Sequence, residues 1–171
     1  TVGLFCIRFV EFFYNNRFYN LVFDVLFVPL HCKKINSAIM IAEFSIENFF
    51  SIKSAQKISF ETSSDTFMSD AYSYEVKKGV RLLKLGIIYG ANASGKTNIL
   101  NAIQFFKMLV LATPKNRNEK TGVVPFMLDD TSRNEPTKMS MSFYINQSKY
   151  ILSFELDSKH IYSETLIVYD S

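Results

Sequence analysis

The sequence predicts an α/β fold, and three features of its 171 residues carry that prediction. A short apolar run at 85–89 leads into a glycine-containing loop, and an amphipathic helix pattern follows the loop over 96–111. A strand pattern of period two begins near residue 40, and three more candidate strands close the chain. A strand, loop and helix in this order, beside antiparallel strands, are typical of a mixed α/β domain.

The composition fits one globular domain. Apolar residues make up 48% and charged residues 20% of the chain, which is ordinary for a globular protein. The formal net charge of +3 is too small to indicate nucleic-acid binding by itself. The two cysteines, Cys6 and Cys32, lie far apart and outside any CxxC pair, so we expect no metal site there. Few cysteines and no recognisable signal peptide predict a cytoplasmic protein.

The first 39 residues differ from the rest of the chain. They are rich in Phe, Val and Leu but show neither clear helix caps nor a clean hydrophobic period. Because a well-patterned strand begins at Met40, we hypothesise that 1–39 is an apolar extension upstream of the natural start. The domain would then be 40–171; the alternative for 1–39 is a hydrophobic helical hairpin that packs on a partner. A charge at the bilayer centre costs about 3 kcal/mol, so we expect no membrane span through a run interrupted by Arg8, Glu11, Arg17 and Asp24.

From Met40 onward the pattern predicts a hairpin of two strands. Ala42, Phe44 and Ile46 alternate with polar residues, which predicts a strand over 41–48 with one apolar face. Further along, the pattern predicts a turn at 49–54, a second strand at 56–61, a loop at 62–70 and another strand at 72–76.

The run Leu85–Tyr89 is apolar apart from Gly86, which is typical of a central strand buried on both faces. Helical spacing of apolar residues predicts the helix 96–111, and Pro114 lies just beyond it and prevents its extension. The rest of the chain predicts loops at 114–122 and 129–136 around an apolar stretch, then an antiparallel meander of strands at 139–145, 150–156 and 161–169.

The segment GANASGKT at Gly90–Thr97 matches the Walker A pattern G-x-x-x-x-G-K-[ST] without a gap. Gly90 lets the chain turn sharply, and Gly95 lets backbone N–H groups approach phosphates where a Cβ would collide. These N–H groups and the dipole of the following helix together form an anion site. Lys96 brings an ammonium group to the β- and γ-phosphates, and Thr97 offers a hydroxyl to Mg²⁺.

This motif predicts binding of ATP together with Mg²⁺. Lys96 is the predicted catalytic residue and Thr97 the predicted metal-binding residue. The alternative is a glycine-containing turn beside an exposed lysine. The predicted nucleotide contacts come from the whole loop and the start of the helix: Gly90, Ala91, Asn92, Ala93, Ser94, Gly95, Lys96, Thr97 and Asn98.

Other polar residues are weaker candidates. Asp129 and Asp130 could suggest metal binding or acid/base chemistry, but a solvated loop is the better interpretation. We interpret His160 as a turn or edge residue rather than a general base.

Four segments carry a family resemblance: ENFFSIK at 47–53, YGANASGKTN at 89–98, PFMLDD at 125–130 and SETLIVYD at 163–170. With them, 40–171 resembles the N-terminal part of AAA-15-type ATPases, in the SMC/RecF-like branch of ABC ATPases. The resemblance implies a P-loop NTPase fold, namely the N-terminal lobe of an ABC-type ATPase head with flanking antiparallel strands. It also implies ATP hydrolysis, a homodimer of heads, and DNA or a nuclease or toxin as a partner. Phe50 departs from the family, which often has Arg or Lys there.

The family also carries a signature motif, a Walker B strand ending in Asp-Glu and a switch His, and none is recognisable in this sequence. We therefore expect the first part of a longer ATPase that binds nucleotide weakly and hydrolyses it poorly. One alternative is a non-catalytic nucleotide-binding remnant of a truncated gene. The other is a different P-loop enzyme, a GTPase or a kinase, although the sequence has neither an N-K-x-D guanine motif nor a recognisable substrate lid.

Overall fold

A computed structural model describes residues 3–8, 39–63, 69–111 and 119–170 of the chain. Antiparallel strands make up most of the regular structure in these ranges, and one helix is long. In chain order the elements are β1 Gly3–Arg8, β2 Ile39–Glu47, β3 Gln56–Ser59, α1 Ser69–Tyr72, β4 Ser73–Lys77, β5 Val80–Leu83, β6 Leu85–Gly90, α2 Lys96–Leu111, α3 Asp130–Asn134, β7 Thr137–Ile145, β8 Ser148–Leu156 and β9 Ile161–Tyr169.

The largest sheet has five antiparallel strands in the order β3–β2–β7–β8–β9. Ile145 pairs with Ser148, so a two-residue link joins β7 to β8, and Asn146 in that link has a φ of 58°. Asn tolerates this left-handed conformation better than most residues, which suits a tight hairpin. Short links of this kind place strands that follow each other in sequence side by side, and they produce the meander.

Around β2 and β7 the sheet is covered on both faces, whereas β9 is exposed along its whole length. On one face α2 contributes Ala102, Ile103, Phe105 and Phe106 to the main apolar core. On the other face the β4–β5 hairpin places Val76 and Leu82 in a smaller cluster with Met40, Ala42 and Tyr144.

A bulge in β2 explains how this strand serves both clusters. Its pairing with β7 shifts register between Ile41 and Glu43. An extra residue at a bulge reverses the alternation of side chains. As a result Ile41 faces the α2 cluster together with Phe44, whereas Ala42 faces the hairpin.

Several predicted elements are confirmed. The hairpin 41–61, the strand at 72–76, the helix 96–111 and the three-strand meander are all present, with boundaries shifted by a few residues at most. The predicted loops were wrong in two places, because α1 begins at Ser69 and α3 occupies Asp130–Asn134. The remaining part of the loop at 64–68, Pro114 with the start of its loop, and most of 1–39 lie outside the described residues.

The prediction that 85–89 is a central strand buried on both faces was wrong. In the described part of the chain β6 pairs with one strand, β1, and the pairing is antiparallel. Ile87 and Tyr89 are 52% and 77% exposed, whereas Ile88 packs against the α2 cluster. A strand with one covered face alternates in burial even when its sequence is apolar throughout, and the sequence alone does not reveal this. The structure thus pairs part of the predicted extension 1–39 with the strand that leads into the loop.

Among the helices in the described ranges, none is both long and apolar enough to cross a membrane.

Candidate phosphate-binding site

The predicted motif folds into a strand, a loop and a helix. Gly90 is the last residue of β6, and Lys96 is the first residue of α2. Between them Ala93 and Gly95 have positive φ angles of 63° and 88°. Only glycine adopts the second value readily, and the first costs an alanine about 1 kcal/mol. The loop therefore keeps a tight turn that Gly95 permits and that is unfavourable for the backbone of Ala93.

Lys96 lies inside this loop. Its side chain is only 8% exposed, and Nζ donates to the carbonyl oxygens of Gly90 at 2.9 Å and Ala91 at 2.6 Å. The third contact, to Ser94 Oγ, is 3.5 Å long, which is the limit for a hydrogen bond. An ammonium group has three donors, and the one that meets Ser94 at this limiting distance is the one that can turn to a phosphate oxygen. A plain turn beside an exposed lysine would not bury the ammonium in this way.

Backbone donors at the start of α2 complete the anion site. The N–H groups of Asn98 and Ile99 donate to Gly95 O at 2.9 and 3.3 Å. The N–H groups of Lys96 and Thr97 come before these bonds, in the first turn, where helix donors have no acceptor within the helix. They carry the positive end of the helix dipole, which favours a phosphate. The Thr97 side chain is exposed, so its hydroxyl is accessible to a phosphate-bound cation.

A second segment touches this loop, and sequence reasoning missed it. Asn98 Nδ2 donates to Ser51 Oγ at 2.6 Å across 47 residues. A Cβ placed on Gly95 would lie 3.6 Å from the same Ser51 oxygen. The turn around Ser51 is closed by two hydrogen bonds of 2.8 Å between Phe49 and Ile52. The loop and this turn therefore form one continuous surface.

Asn48 fixes the position of that turn. Its side chain is 3% exposed, and Nδ2 donates to the carbonyl oxygens of Ser132 and Glu135, both at 2.8 Å. Its Oδ1 accepts from Phe126 N–H at 2.9 Å, and its own carbonyl accepts from Thr137 Oγ1 at 2.6 Å. The feature of the sequence that could have indicated this role of Asn48 is the presence of a polar residue at the end of the apolar face of β2.

Asp129 caps α3, as its hydrogen bonds show. Its carboxylate accepts from Ser132 N–H at 2.7 Å and pairs with Lys53 at 2.8 Å. The Lys53 hydrogen bond, followed by the Ser132 N–H, lowers the pKa of Asp129 from 3.8 to about 2. No group of three or more potential metal ligands occurs in the described ranges. Asp129 therefore serves as the N-cap of α3.

His160 lies in the exposed turn before β9, as predicted. Its backbone N–H donates to Asp157 Oδ1 at 2.7 Å. A hydrogen bond from the Tyr162 hydroxyl, followed by backbone bonds from Lys159 and His160, lowers the pKa of Asp157 to about 2. The same hydrogen bond raises the pKa of Tyr162. These groups stabilise the turn and do not contact the phosphate loop.

A groove of about 230 Å³ lies elsewhere, on the large sheet. Residues of β2, β7, β8 and β9 line it, among them Glu47, Lys138 and Glu155. None of its lining residues belongs to the loop, and the loop is the part that carries phosphate chemistry. We therefore place the site at the loop, where an anion would sit on exposed donors rather than in a deep cavity.

The strand, the curved loop with its enclosed lysine, and the helix define the class of phosphate-loop nucleotide-binding domains. A family model described as "AAA domain, putative AbiEii toxin, Type IV TA system" matches residues 86–171, and the chain belongs to this family. The match begins within β6 and includes the complete loop. Membership of an AAA domain family implies phosphate-loop nucleotide binding in general. Searches of curated proteins and of solved structures gave no match.

Proposed function

We propose that the chain binds ATP with Mg²⁺ through Gly90–Asn98. The position of the Lys96 ammonium, held by the carbonyls of Gly90 and Ala91, is the observation that carries this proposal. Backbone N–H groups of the loop and of the first turn of α2 would cradle the α- and β-phosphates. The remaining Lys96 donor would reach the β- and γ-phosphates, where charge develops during phosphoryl transfer.

The residues present fit a magnesium ion. Thr97 follows Lys96 directly and carries an exposed hydroxyl, and Mg²⁺ prefers oxygen ligands from one or two side chains together with phosphates and water. Mg²⁺, when bound, neutralises charge on the β- and γ-phosphates. Thr97 would hold that ion beside the Lys96 ammonium.

At a finer level we propose an ATP-hydrolysing enzyme of the SMC/RecF-like, ABC-type branch. The segments at 47–53 and 89–98 support this, and so do the antiparallel strands that flank the loop. In this proposal two heads dimerise around ATP in the cytoplasm. The family description names a toxin and a type IV system, so we propose a toxin or nuclease as partner, with DNA as the other candidate.

The second candidate is nucleotide binding without hydrolysis. Hydrolysis needs a group that positions or activates water. Asp129, the acid/base candidate in the sequence, is engaged in the cap of α3 and in an ion pair with Lys53. This observation favours a binding role for the chain on its own.

Titration calorimetry with ATP, with and without Mg²⁺, tests the proposal. We expect Lys96→Ala to weaken binding by at least tenfold, and Thr97→Ala to remove most of the gain from Mg²⁺. Lys78→Ala is the matched control, because Lys78 lies exposed in the turn between β4 and β5. Equal binding by wild type and Lys96→Ala would refute the proposal. Phosphate release, measured on the same samples, separates the hydrolytic from the binding-only candidate.

A further inference from the structure

We propose that two copies of this chain pair through β9, edge to edge and antiparallel, around a two-fold axis at Thr165. The proposal goes beyond the proposed function, because the contact involves neither nucleotide nor the phosphate loop. In the described ranges β9 lies at the end of the five-stranded sheet and pairs with one strand, β8. The free edge of such a strand is a template on which another strand can pair.

The first argument is the contrast between the two edges of this sheet. Edge strands are normally protected by short length, by Lys or Pro, or by a segment that covers them. The other edge strand, β3, has four residues and includes Lys57, and the N–H of Leu83 in β5 donates to Phe60 O just beyond it at 2.7 Å. By contrast β9 has nine residues, contains neither Lys nor Pro, and keeps a regular register with β8 from Ser163 to Tyr169. The sheet therefore protects one edge and leaves the other open to a partner strand.

The second argument is the exposed side chains of β9. Every residue of the strand is exposed, and its large apolar residues lie on both faces of the sheet: Ile161, Tyr162, Leu166, Ile167, Val168 and Tyr169. Single exposed apolar residues are normal, but a contiguous apolar patch marks an interaction site. A partner strand would place its own side chains beside these on both faces, with Cβ atoms of opposed residues about 5 Å apart.

The third argument is that β9 is complementary to itself. A two-fold axis at Thr165 pairs all nine residues, because Ile161 and Tyr169 are equally far from it. Two threonines then lie opposite each other at the centre, which is a favourable cross-strand pair. Glu164, the charged residue of the strand, lies opposite the partner's Leu166. An axis at Glu164 itself would instead set two like charges directly opposite each other, which is destabilising.

Charges beyond the two ends of β9 favour the same partner. Lys159 and His160 precede the strand, and Asp170 follows it. In the antiparallel pair the start of one strand meets the end of the other, so Lys159 approaches the partner's Asp170 at both ends. A parallel pair would bring like charges together. The two-fold arrangement also uses each free edge once, so the assembly closes as a dimer.

Sedimentation velocity of the full chain over a range of concentrations, without nucleotide, tests the proposal. We expect wild type to dimerise. Thr165→Lys sets two ammonium groups against each other at the axis, and Thr165→Glu sets two carboxylates there. Each variant should weaken the dimer about fivefold or more, the size of one cross-strand pair. An equimolar mixture of the two variants should dimerise at least as well as wild type, because Lys then meets Glu.

Gln56→Lys is the matched control, because it adds the same charge to an exposed position on β3 and should leave the dimer unchanged. Circular dichroism checks that each variant is folded. A wild type that stays monomeric would overturn the proposal, and so would a dimer that neither Thr165 variant weakens. If both variants weaken the dimer but their mixture does not restore it, the axis at Thr165 is wrong.

Lys96→Ala separates this inference from the proposed function. The dimer that forms without nucleotide should persist in Lys96→Ala, whereas a dimer of heads around ATP requires nucleotide and should be lost. A nucleotide-free dimer that Lys96→Ala abolishes would overturn the β9 interface, because the contact would then involve the phosphate loop. Loss of ATP binding alone would refute the proposed function and leave the β9 dimer intact.

Discussion

Asn48 shows how one side chain determines the position of a whole segment. It uses both amide protons and its carbonyl oxygen to join the turn 49–52 to the stretch from Phe126 to Pro136. Its own φ of 55° is one that Asn tolerates better than other residues with a side chain. Both properties, the side-chain bonds and the backbone conformation, are needed at this position.

We expect Asn48→Ala to destabilise the fold by about 2–4 kcal/mol, because the Phe126 N–H and the Glu135 carbonyl lose their bond to Asn48 and the Ser132 carbonyl keeps only a longer one. Urea unfolding of wild type and variant measures this. Asn101→Ala is the control, since Asn101 is exposed on α2, and it should stay within about 0.5 kcal/mol of wild type. A loss below about 1 kcal/mol for Asn48→Ala would show that other contacts hold the turn.

Gly95 and Gly79 permit a test of strain inside and outside the loop. Their φ angles are similar, +88° and +80°, and a Cβ at Gly79 would meet nothing within 4 Å. Replacing either with alanine should cost about 1–2 kcal/mol of stability, measured by urea unfolding. Only Gly95→Ala should also weaken ATP binding, because it would shift the N–H groups that we propose face the phosphates. If Gly79→Ala weakened ATP binding as much as Gly95→Ala does, the affinity would depend on global stability and not on loop geometry.

At the scale of elements, sequence patterns predicted structure wherever one local period decides it. The alternation around Phe44 and the helical spacing around Ile103 both gave the correct element, and α2 has the predicted bounds. The prediction for β6 was wrong because a short apolar run is compatible with a strand covered on one face as well as with a strand covered on both. α3 was missed because it has only five residues and no apolar face, although Asp129 followed by Ser132 is an N-cap pattern.

The cap of α3 also makes a prediction about pH. The pKa of Asp129 is lowered to about 2, so its contribution to stability is present above its usual pKa of 3.8 and is lost as pH falls toward 2. Asn still caps a helix but cannot pair with Lys53. The difference in melting temperature between wild type and Asp129→Asn should therefore be steady from pH 7 to about 5 and shrink from about pH 4 to 2.

Asp157 titrates in the same range, but it is present in both proteins and cancels in the difference. The Lys53–Asp129 pair is largely exposed at Lys53, so added salt should reduce the difference as well. The double variant Asp129→Asn, Lys53→Ala should lose no more stability than the two single variants lose in sum. It should lose less than that sum if the two side chains act as one pair. If the difference in melting temperature between wild type and Asp129→Asn does not change with pH, the carboxylate charge is excluded as its source.

At the scale of the molecule, the sequence identified the phosphate loop but not what surrounds it. Eight consecutive residues define the loop, so its chemistry can be read locally. The contact between Ser51 and Asn98 spans 47 residues and depends on how the β2–β3 hairpin packs beside α2. The packing of the β4–β5 hairpin on the opposite face likewise joins residues far apart in sequence, since Val76 and Leu82 cluster with Tyr144. No local period encodes either arrangement.

The described core predicts the result of removing residues 1–38. The two buried clusters described for residues 39–63, 69–111 and 119–170 hold α2 and the β4–β5 hairpin on the large sheet, whereas β1 contributes the backbone pairing of 3–8 with β6. We expect the chain from Ile39 onward to unfold cooperatively and to keep α2, because the core contacts described for this helix lie in the remaining chain. Backbone amides of β6 should exchange with deuterium faster than in the full chain, since their strand partner is gone, while β7 amides keep their protection.

Hydrogen exchange followed by mass spectrometry measures both strands in one experiment, and β7 is the internal control because it is paired on both sides by β2 and β8. ATP binding should persist in the shortened chain, since the carbonyls that hold Lys96 and the Ser51–Asn98 bond all lie after residue 39. Loss of cooperative unfolding, or of ATP binding alone, would make β1 a necessary part of the fold.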